Sequence, residues 1–170
     1  MFGEVVPPAL RALPAAIRQR LRVSLQSTGD ASGAIADELR EAGIDADVRP
    51  FFDDMGARLA HAHLVITRAG ASTAADLLTV GRPAIFVPIP QGGSKEEQRR
   101  NADTLAAVGA GWCMPEAELT AEALATRLAE LFESPEALPR AAAAAAAMAQ
   151  PDAASNLADV VERLLAAKTR

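Results

Sequence analysis

Five short apolar runs alternate along the chain with longer segments in which apolar residues recur every three or four positions. The short runs predict β-strands, and they span residues 22–27, 47–51, 64–67, 83–89 and 111–114. The longer segments predict α-helices, and between the strands they span residues 30–42, 53–62, 72–80 and 96–108. Strands that alternate with helices are typical of a parallel sheet with crossover connections. We therefore predict an α/β fold with a Rossmann-like, doubly wound parallel sheet.

Further helical segments flank this α/β unit. One precedes the first strand and three follow the last, at residues 4–19, 120–132, 135–148 and 153–167. In the first of these segments we expect Pro7, Pro8 and Pro14 to break the helix or to start it afresh. There is no internal repeat, so we expect a single domain over residues 1–170.

Composition narrows the class of protein. Half of the 170 residues are apolar, which is enough for one hydrophobic core. The formal charge of −5 comes without a long basic run, so we expect no nucleic-acid surface. The lone cysteine, Cys113, excludes a disulfide framework. We find neither a charge-free apolar stretch of transmembrane length nor a signal-peptide pattern, and we expect a cytoplasmic protein.

The most distinctive segment is the turn TRAGASTAAD at residues 67–76, which follows a predicted strand and opens a predicted helix. The first backbone amides of a helix have no partner within it, and together with the helix dipole they bind anions. Residues 71–73 supply these amides, and Gly70 lets a phosphate approach the backbone closely. Asp76, one helical turn on, could reach a vicinal diol such as a ribose. The layout is typical of a nucleotide-diphosphate site.

An ordinary helix cap is the alternative interpretation of this turn. Thr73 and Asp76 have the spacing of a capping box, in which a threonine caps the helix and an acidic residue three positions on bonds back. The turn alone favours plain capping. The order of the surrounding segments favours the diphosphate site instead.

Four segments follow one another in a specific order: PFFDDM at 50–55, RAGAST at 68–73 with Asp76, GRPAIFVP at 81–88, and EEQRRNA at 96–102. In this order they resemble the donor-binding half of the MurG-type N-acetylglucosaminyltransferase family, from about Phe2 to about Leu165. The resemblance implies the C-terminal half of a GT-B glycosyltransferase. The family makes an inverting transfer of GlcNAc from UDP-GlcNAc to undecaprenyl-pyrophosphoryl-MurNAc-pentapeptide in peptidoglycan synthesis.

The resemblance also implies roles for single residues in binding UDP-GlcNAc. Phe51 would stack on uracil, and the main chain of Phe52 would contact the uracil edge. Asp76, where the family commonly has Glu, would bind the ribose hydroxyls, and Gln98 would contact the sugar. The predicted site comprises Phe51, Phe52, Arg68, Gly70, Ala71, Ser72, Thr73, Asp76, Gln98 and Asn101.

Several of these residues also have a structural interpretation. One of Phe51 and Phe52 is expected in the core and the other partly exposed. Arg68 either neutralises phosphate charge or pairs with an acid at the sheet edge. Gln98 and Asn101 can be exposed polar side chains of a helix.

Other site chemistry finds little support. His61 and His63 are two positions apart, which does not suit a helical metal pair. Asp53 and Asp54 could hold a divalent ion or pair with Arg68, but we favour helix capping, because the family binds its pyrophosphate through helix amides. We expect no metal, no cofactor and no catalytic residue in this segment.

The resemblance places the acceptor site, the membrane contact and the presumed catalytic base in an N-terminal domain. It also places the first strand of the donor domain just before Phe2. We therefore expect a sheet that lacks this central strand, a chain that is inactive alone, and a helix over residues 150–170 that packs toward the N-terminal domain. The lipid-linked acceptor would bind through that domain, at the cytoplasmic face of the membrane.

Two alternatives stay open. One is a noncatalytic nucleotide-sugar-binding subunit whose partner chain supplies the N-terminal half. The other is a related GT-B enzyme that uses another UDP-sugar, which Glu97 in place of the family's usual His or Gln favours.

Overall fold

The structure is a computed structural model that describes residues 1–29 and 31–168. Its strands are β1 (Arg22–Gln26), β2 (Asp45–Arg49), β3 (Val65–Thr67), β4 (Ala84–Phe86) and β5 (Gly111–Cys113). Its helices are α1 (Phe2–Ala12), α2 (Ala15–Arg18), α3 (Ala31–Glu41), α4 (Met55–His61), α5 (Ala71–Thr79), α6 (Lys95–Ala107), α7 (Ala121–Glu133), α8 (Ala137–Ala147) and α9 (Ala153–Lys168). A 3₁₀ turn spans Glu116–Glu118. Asp30, the predicted first residue of the helix over residues 30–42, lies outside the described residues, as do residues 169 and 170.

The strands of the described chain pair in parallel. β1 pairs with β2, with Leu25 opposite Val48. β3, β4 and β5 form a second sheet in that order, with Ile85 at its centre opposite Ile66 and Trp112. Helices separate successive strands, because a parallel neighbour can be reached only by a crossover. The predicted α/β architecture is confirmed.

The two sheets are not joined by backbone pairing within the described residues, where β1 pairs only with β2 and β3 only with β4. One hydrophobic cluster nevertheless spans both sheets, since it contains Leu25 of β1 and Ile85 of β4. Strand β4 is fully buried, whereas every residue of β3 is half-buried. The division between β1 and β3 agrees with the expectation of a sheet that lacks a central strand.

Helix α1 differs from its prediction at the prolines. It continues through Pro7 and Pro8, so the predicted break there is wrong. Val6 and Leu10 are buried where α1 packs on α3 and α7, and this burial offsets the hydrogen bonds that the two prolines cannot donate. The helix ends before Leu13, whose backbone is extended because Pro14 follows it.

The contact between β4 and β5 requires a glycine. A Cβ atom at Gly111 would lie 2.3 Å from the carbonyl oxygen of Ala84 and 2.9 Å from the ring of Phe86. Gly111 therefore sets how closely β5 approaches the most buried strand of the sheet.

Candidate nucleotide-diphosphate site

The predicted site residues all follow the carboxyl ends of strands. Phe51 and Phe52 come after β2, the segment from Arg68 to Asp76 follows β3, and the loop after β4 leads to Gln98 and Asn101 on α6. The start of α1 links the two sheets at this edge. The ring of Phe2 lies 5.5 Å from the Arg68 guanidinium, and a Cβ at Gly3 would lie 2.9 Å from Ser27 Oγ, after β1. The carboxyl edge of a doubly wound sheet is where such folds bind ligands.

Helix α5 begins with uncapped amides. Its N-cap residue is Gly70, which has no side chain that could accept a hydrogen bond from the first turn. Thr73 lies inside that turn, so the capping-box interpretation is wrong. Within the described residues no hydrogen bond is found from the amides of Ala71, Ser72 and Thr73. Unpaired amides at the positive end of a helix dipole are suited to bind an anion.

The backbone of Gly70, with φ −65° and ψ 146°, has a conformation that residues other than glycine also adopt. A Cβ added there would meet nothing closer than Thr73 Oγ1, at 4.0 Å. Neither the backbone conformation nor the packing therefore requires a glycine at position 70. Its missing side chain leaves open space beside the free amides, which is what close approach by a ligand requires.

Asp76 lies further along α5 and is exposed. Its carboxylate makes no hydrogen bond or ion pair with the residues that the structure describes. It is therefore available to accept hydrogen bonds from hydroxyl groups.

The two adjacent phenylalanines between β2 and α4 have opposite environments. Phe51 is 71% exposed, whereas Phe52 is 4% exposed. The prediction that one is core and the other partly exposed is confirmed. The Phe51 ring is thus free to stack on a flat ligand, and the Phe52 ring anchors the segment.

Asp54 is the N-cap residue of α4, so the predicted cap position is confirmed, but its side chain does not make the capping hydrogen bond that the prediction implied. Its carboxylate instead accepts a hydrogen bond from Arg58 Nε at 2.7 Å. This hydrogen bond holds the pKa of Asp54 below its ordinary value. Arg58 was not among the predicted site residues, and the arginine has no local motif that distinguishes it.

Arg68 pairs with an acid at the sheet edge, as one of its two interpretations predicts. The acid is Glu116, with 2.6 Å between Arg68 Nη2 and Glu116 Oε2. Arg68 Nη1 also donates to the carbonyl oxygens of Val87 and Pro88, at 3.3 and 3.4 Å. Sequence reasoning missed Glu116, because only folding brings the turn after β5 to the end of β3.

Gln98 and Asn101 are half-buried and tie α6 to the two neighbouring loops. Gln98 Oε1 accepts a hydrogen bond from the backbone N–H of Ile89 at 3.2 Å. Asn101 Nδ2 donates to the carbonyl oxygen of Ala69 at 3.0 Å. The interpretation of both as freely exposed helix residues is therefore wrong.

The described residues contain no group of three or more His, Cys, Asp or Glu side chains that could hold a metal ion. His61 and His63 are exposed. Cys113 on β5 is partly buried, and this burial raises the pKa of its thiol. In residues 1–29 and 31–168, no helix combines the length and hydropathy that crossing a bilayer requires.

Two curated relatives match nearly the whole chain, and both are named UDP-N-acetylglucosamine--N-acetylmuramyl-(pentapeptide) pyrophosphoryl-undecaprenol N-acetylglucosamine transferase. The protein from Rhodospirillum centenum is 48% identical over 161 residues, which cover 95% of this chain and 42% of the relative. The protein from Methylobacterium nodulans is 46% identical over 172 residues, which cover 100% of this chain and 46% of the relative.

Solved structures agree with this match. The crystal structure of Acinetobacter baumannii MurG has a TM-score of 0.80 at 28% identity and covers 95% of this chain and 46% of that one. The glycotransferase of kitacinnamycin, with a TM-score of 0.64 at 22% identity over 95% of this chain and 38% of that one, shares the fold. The chain thus spans less than half the length of these relatives. The family 28 glycosyltransferase C-terminal domain matches residues 2–157, and this chain belongs to that family.

Proposed function

We propose that this chain is the donor-binding half of an N-acetylglucosaminyltransferase that uses UDP-GlcNAc. One observation carries the proposal: the uncapped amides at the start of α5, an exposed aromatic ring, Phe51, and an unpaired carboxylate, Asp76, all lie on segments that follow the carboxyl ends of strands. These three features match the diphosphate, base and ribose of a nucleotide. The names of the curated relatives support GlcNAc as the sugar and an N-acetylmuramyl-pentapeptide pyrophosphoryl-undecaprenol as the acceptor. From this acceptor we infer peptidoglycan synthesis as the process.

In this proposal the diphosphate binds the amides of Ala71, Ser72 and Thr73, above the open space at Gly70. Uracil stacks on Phe51, and backbone groups of Phe52 distinguish its edge from that of other bases. A ring can stack on any base, so base specificity must come from the backbone groups.

The sugar would meet the amide groups of α6. Gln98 uses its Oε1 for the Ile89 N–H, and Asn101 uses its Nδ2 for the Ala69 carbonyl. The Gln98 amino group and the Asn101 oxygen are thereby left for sugar hydroxyls, one as donor and one as acceptor. Arg68 would add positive charge near the diphosphate. Its ion pair with Glu116 would partly neutralise that charge.

The reaction we propose is an inverting transfer. An acceptor hydroxyl attacks the anomeric carbon of GlcNAc, the bond from that carbon to the diphosphate oxygen breaks, and UDP leaves. The amides at the start of α5 stabilise the charge that develops on the leaving diphosphate. Because helix amides perform this task, the proposal requires no metal and no cofactor. The base that removes the acceptor proton would belong to the remainder of the protein.

We also propose that an N-terminal half binds the lipid-linked MurNAc-pentapeptide and contacts the cytoplasmic face of the membrane. Two features of this chain support such a half. Leu157, Val160, Val161 and Leu164 form an exposed apolar stripe along one face of α9, which could pack against it. The division between β1 and β3 could accept a further parallel strand. Alone, the chain is expected not to turn over lipid acceptor.

An NMR titration of the purified chain with UDP-GlcNAc tests the proposal. We expect amide shifts at Phe52, at residues 71–76 and at Gln98, and weaker binding of UDP-glucose. A folded chain whose amides do not shift would contradict donor binding.

A preference for UDP-glucose or UDP-galactose would instead favour a related enzyme, to which the exposed Glu97 at the start of α6 is suited. Copurification of a second chain that supplies the N-terminal half would favour a separate donor-binding subunit.

A further inference from the structure

Arg58 on α4 makes four side-chain contacts, two with the segment that joins β2 to α4 and two with the strands β1 and β2. Its guanidinium carbon lies 3.9 Å from the centre of the Phe52 ring. Nη1 donates to Ser24 Oγ at 2.8 Å, Nη2 pairs with Asp47 at 2.9 Å, and Nε pairs with Asp54 at 2.7 Å. One side chain therefore connects β1, β2, the first turn of α4 and the buried phenylalanine.

Asp47 and Asp54, the two acids that contact Arg58, are charged at neutral pH. Desolvation raises the pKa of Asp47, but the hydrogen bonds from Arg49 and Arg58 outweigh it, so the pKa lies below its ordinary value. The pKa of Asp54 is also lowered, chiefly by its hydrogen bond from Arg58. A planar guanidinium can bind two carboxylates, a hydroxyl and a ring face together, whereas an ammonium group cannot match this geometry.

These contacts determine the position of Phe52 and, through the chain, of Phe51. Phe52 is buried and has the Arg58 guanidinium against its ring. Phe51 directly precedes it and is largely exposed. If the Phe52 ring shifted, its own backbone amide and carbonyl would shift as well, together with the direction of the Phe51 ring.

We propose that Arg58 is a positioning residue for base recognition, which holds the Phe52 backbone where it distinguishes uracil from other bases. Arg58 does not touch the donor itself in this arrangement. The inference rests on the proposed donor-binding function and adds a residue that determines its base specificity.

Binding of UDP and CDP to the purified 170-residue chain, measured by calorimetry, tests this role. The two ligands share ribose and diphosphate and differ only at the base edge. A loss of overall fold would lower both affinities by the same factor. A shift of the Phe52 backbone amide and carbonyl would lower the preference for UDP over CDP.

We expect Arg58→Ala to weaken UDP binding about fivefold and to reduce the preference for UDP over CDP by a similar factor. Arg58→Lys retains the charge but lacks the planar group, and we expect it to reduce the preference as well. Phe51→Ala should lower both affinities about equally, because stacking does not distinguish the bases. Arg127→Ala, which removes an exposed ion pair with Glu130 on α7, is the matched control and should change neither affinity.

Three outcomes would contradict the proposals, and they are distinguishable. If Arg58→Ala leaves the preference for UDP unchanged while Phe51→Ala weakens both ligands, only the role of Arg58 is wrong. If Arg58→Ala unfolds the chain, Arg58→Lys decides, and an unchanged preference in that variant overturns the role. If the unaltered chain binds neither nucleotide, the donor-binding proposal itself fails, and this inference fails with it.

Discussion

Asn101 on α6 donates a hydrogen bond from Nδ2 to the carbonyl oxygen of Ala69, the residue directly before Gly70. Ala69 is fully buried, so its carbonyl has no access to water and depends on this donor. The bond joins the helix that carries the proposed sugar contacts to the turn that carries the proposed diphosphate amides. In the proposed site, this one side chain would couple sugar recognition to diphosphate recognition.

Replacing Asn101 with Asp should destabilise the chain by about 1–3 kcal/mol, because a carboxylate oxygen would face the Ala69 carbonyl and leave it unsatisfied. Urea unfolding measures the change. The same substitution at Asn156, which is exposed on α9, should have an effect of at most about 0.5 kcal/mol. Equal stability of the two variants would contradict the role of the Ala69 contact.

Gly70→Ala should affect UDP binding more than the stability of the chain. The backbone at Gly70 suits alanine and there is room for a Cβ, but alanine is a poorer N-cap residue than glycine, so we expect the free energy of unfolding to fall by no more than about 1 kcal/mol. UDP affinity should fall about tenfold, because the methyl group occupies the space beside the α5 amides. Thermal unfolding and calorimetric titration of the same preparation provide the comparison. Undiminished UDP binding would show that the diphosphate lies elsewhere.

Gly111→Ala should be strongly destabilising, by about 3 kcal/mol, because the new Cβ collides with the Ala84 carbonyl. Gly33→Ala on α3 is the matched control. A Cβ there meets nothing within 4 Å, and alanine in a helix should stabilise by about 0.5–1 kcal/mol. Chemical denaturation of both variants measures the difference, and a mild effect at Gly111 would mean that β5 can move away from β4.

The neighbouring phenylalanines should respond differently to truncation. Phe52→Ala removes a buried ring and should cost about 3–5 kcal/mol of stability. Phe51→Ala should leave stability within about 0.5 kcal/mol and should weaken UDP binding by about 1–3 kcal/mol through lost stacking. Unfolding and binding measured on both variants test the assignment, which a stability loss at Phe51 like that at Phe52 would refute.

The contribution of Arg58 to stability should depend on pH. The pKa values of Asp47 and Asp54 lie below the ordinary 3.8, so their stabilising contribution is present above that value and is lost as the pH falls through the folded-state pKa values. The difference in free energy of unfolding between the unaltered chain and Arg58→Ala should therefore stay constant above about pH 5 and narrow as the pH falls below 3.8. Denaturation at several pH values measures it. A constant difference would assign the effect of Arg58 to its contacts with the Phe52 ring and Ser24, which do not titrate in this range.

Local patterns were sufficient to predict most elements. Apolar runs identified β3, β4 and β5, and helical spacing identified α5 and α6, because these periodicities reflect which side chains each element must bury. The α5 turn was also predicted as an anion site, since the order strand, glycine, helix determines which amides are left unpaired.

Side-chain partners could not be predicted in the same way. The capping box at Thr73 fits the sequence, but the first helical residue depends on how α5 packs, and that placed Thr73 inside the helix. The carboxylate of Asp54 suits a cap equally well, yet Arg58 competes for it. Each of these errors concerns a polar group with more than one possible partner.

The order of strands and helices, the parallel architecture and the position of the candidate site on the chain follow from local patterns of residues. Periodicity and turn chemistry are local properties, so they can be recognised without the fold. Tertiary structure alone decided that Arg68 pairs with Glu116, that Asn101 binds Ala69 and that Arg58 packs on Phe52. These contacts join residues distant in the chain, and only the packing of helices and strands brings their atoms within bonding distance.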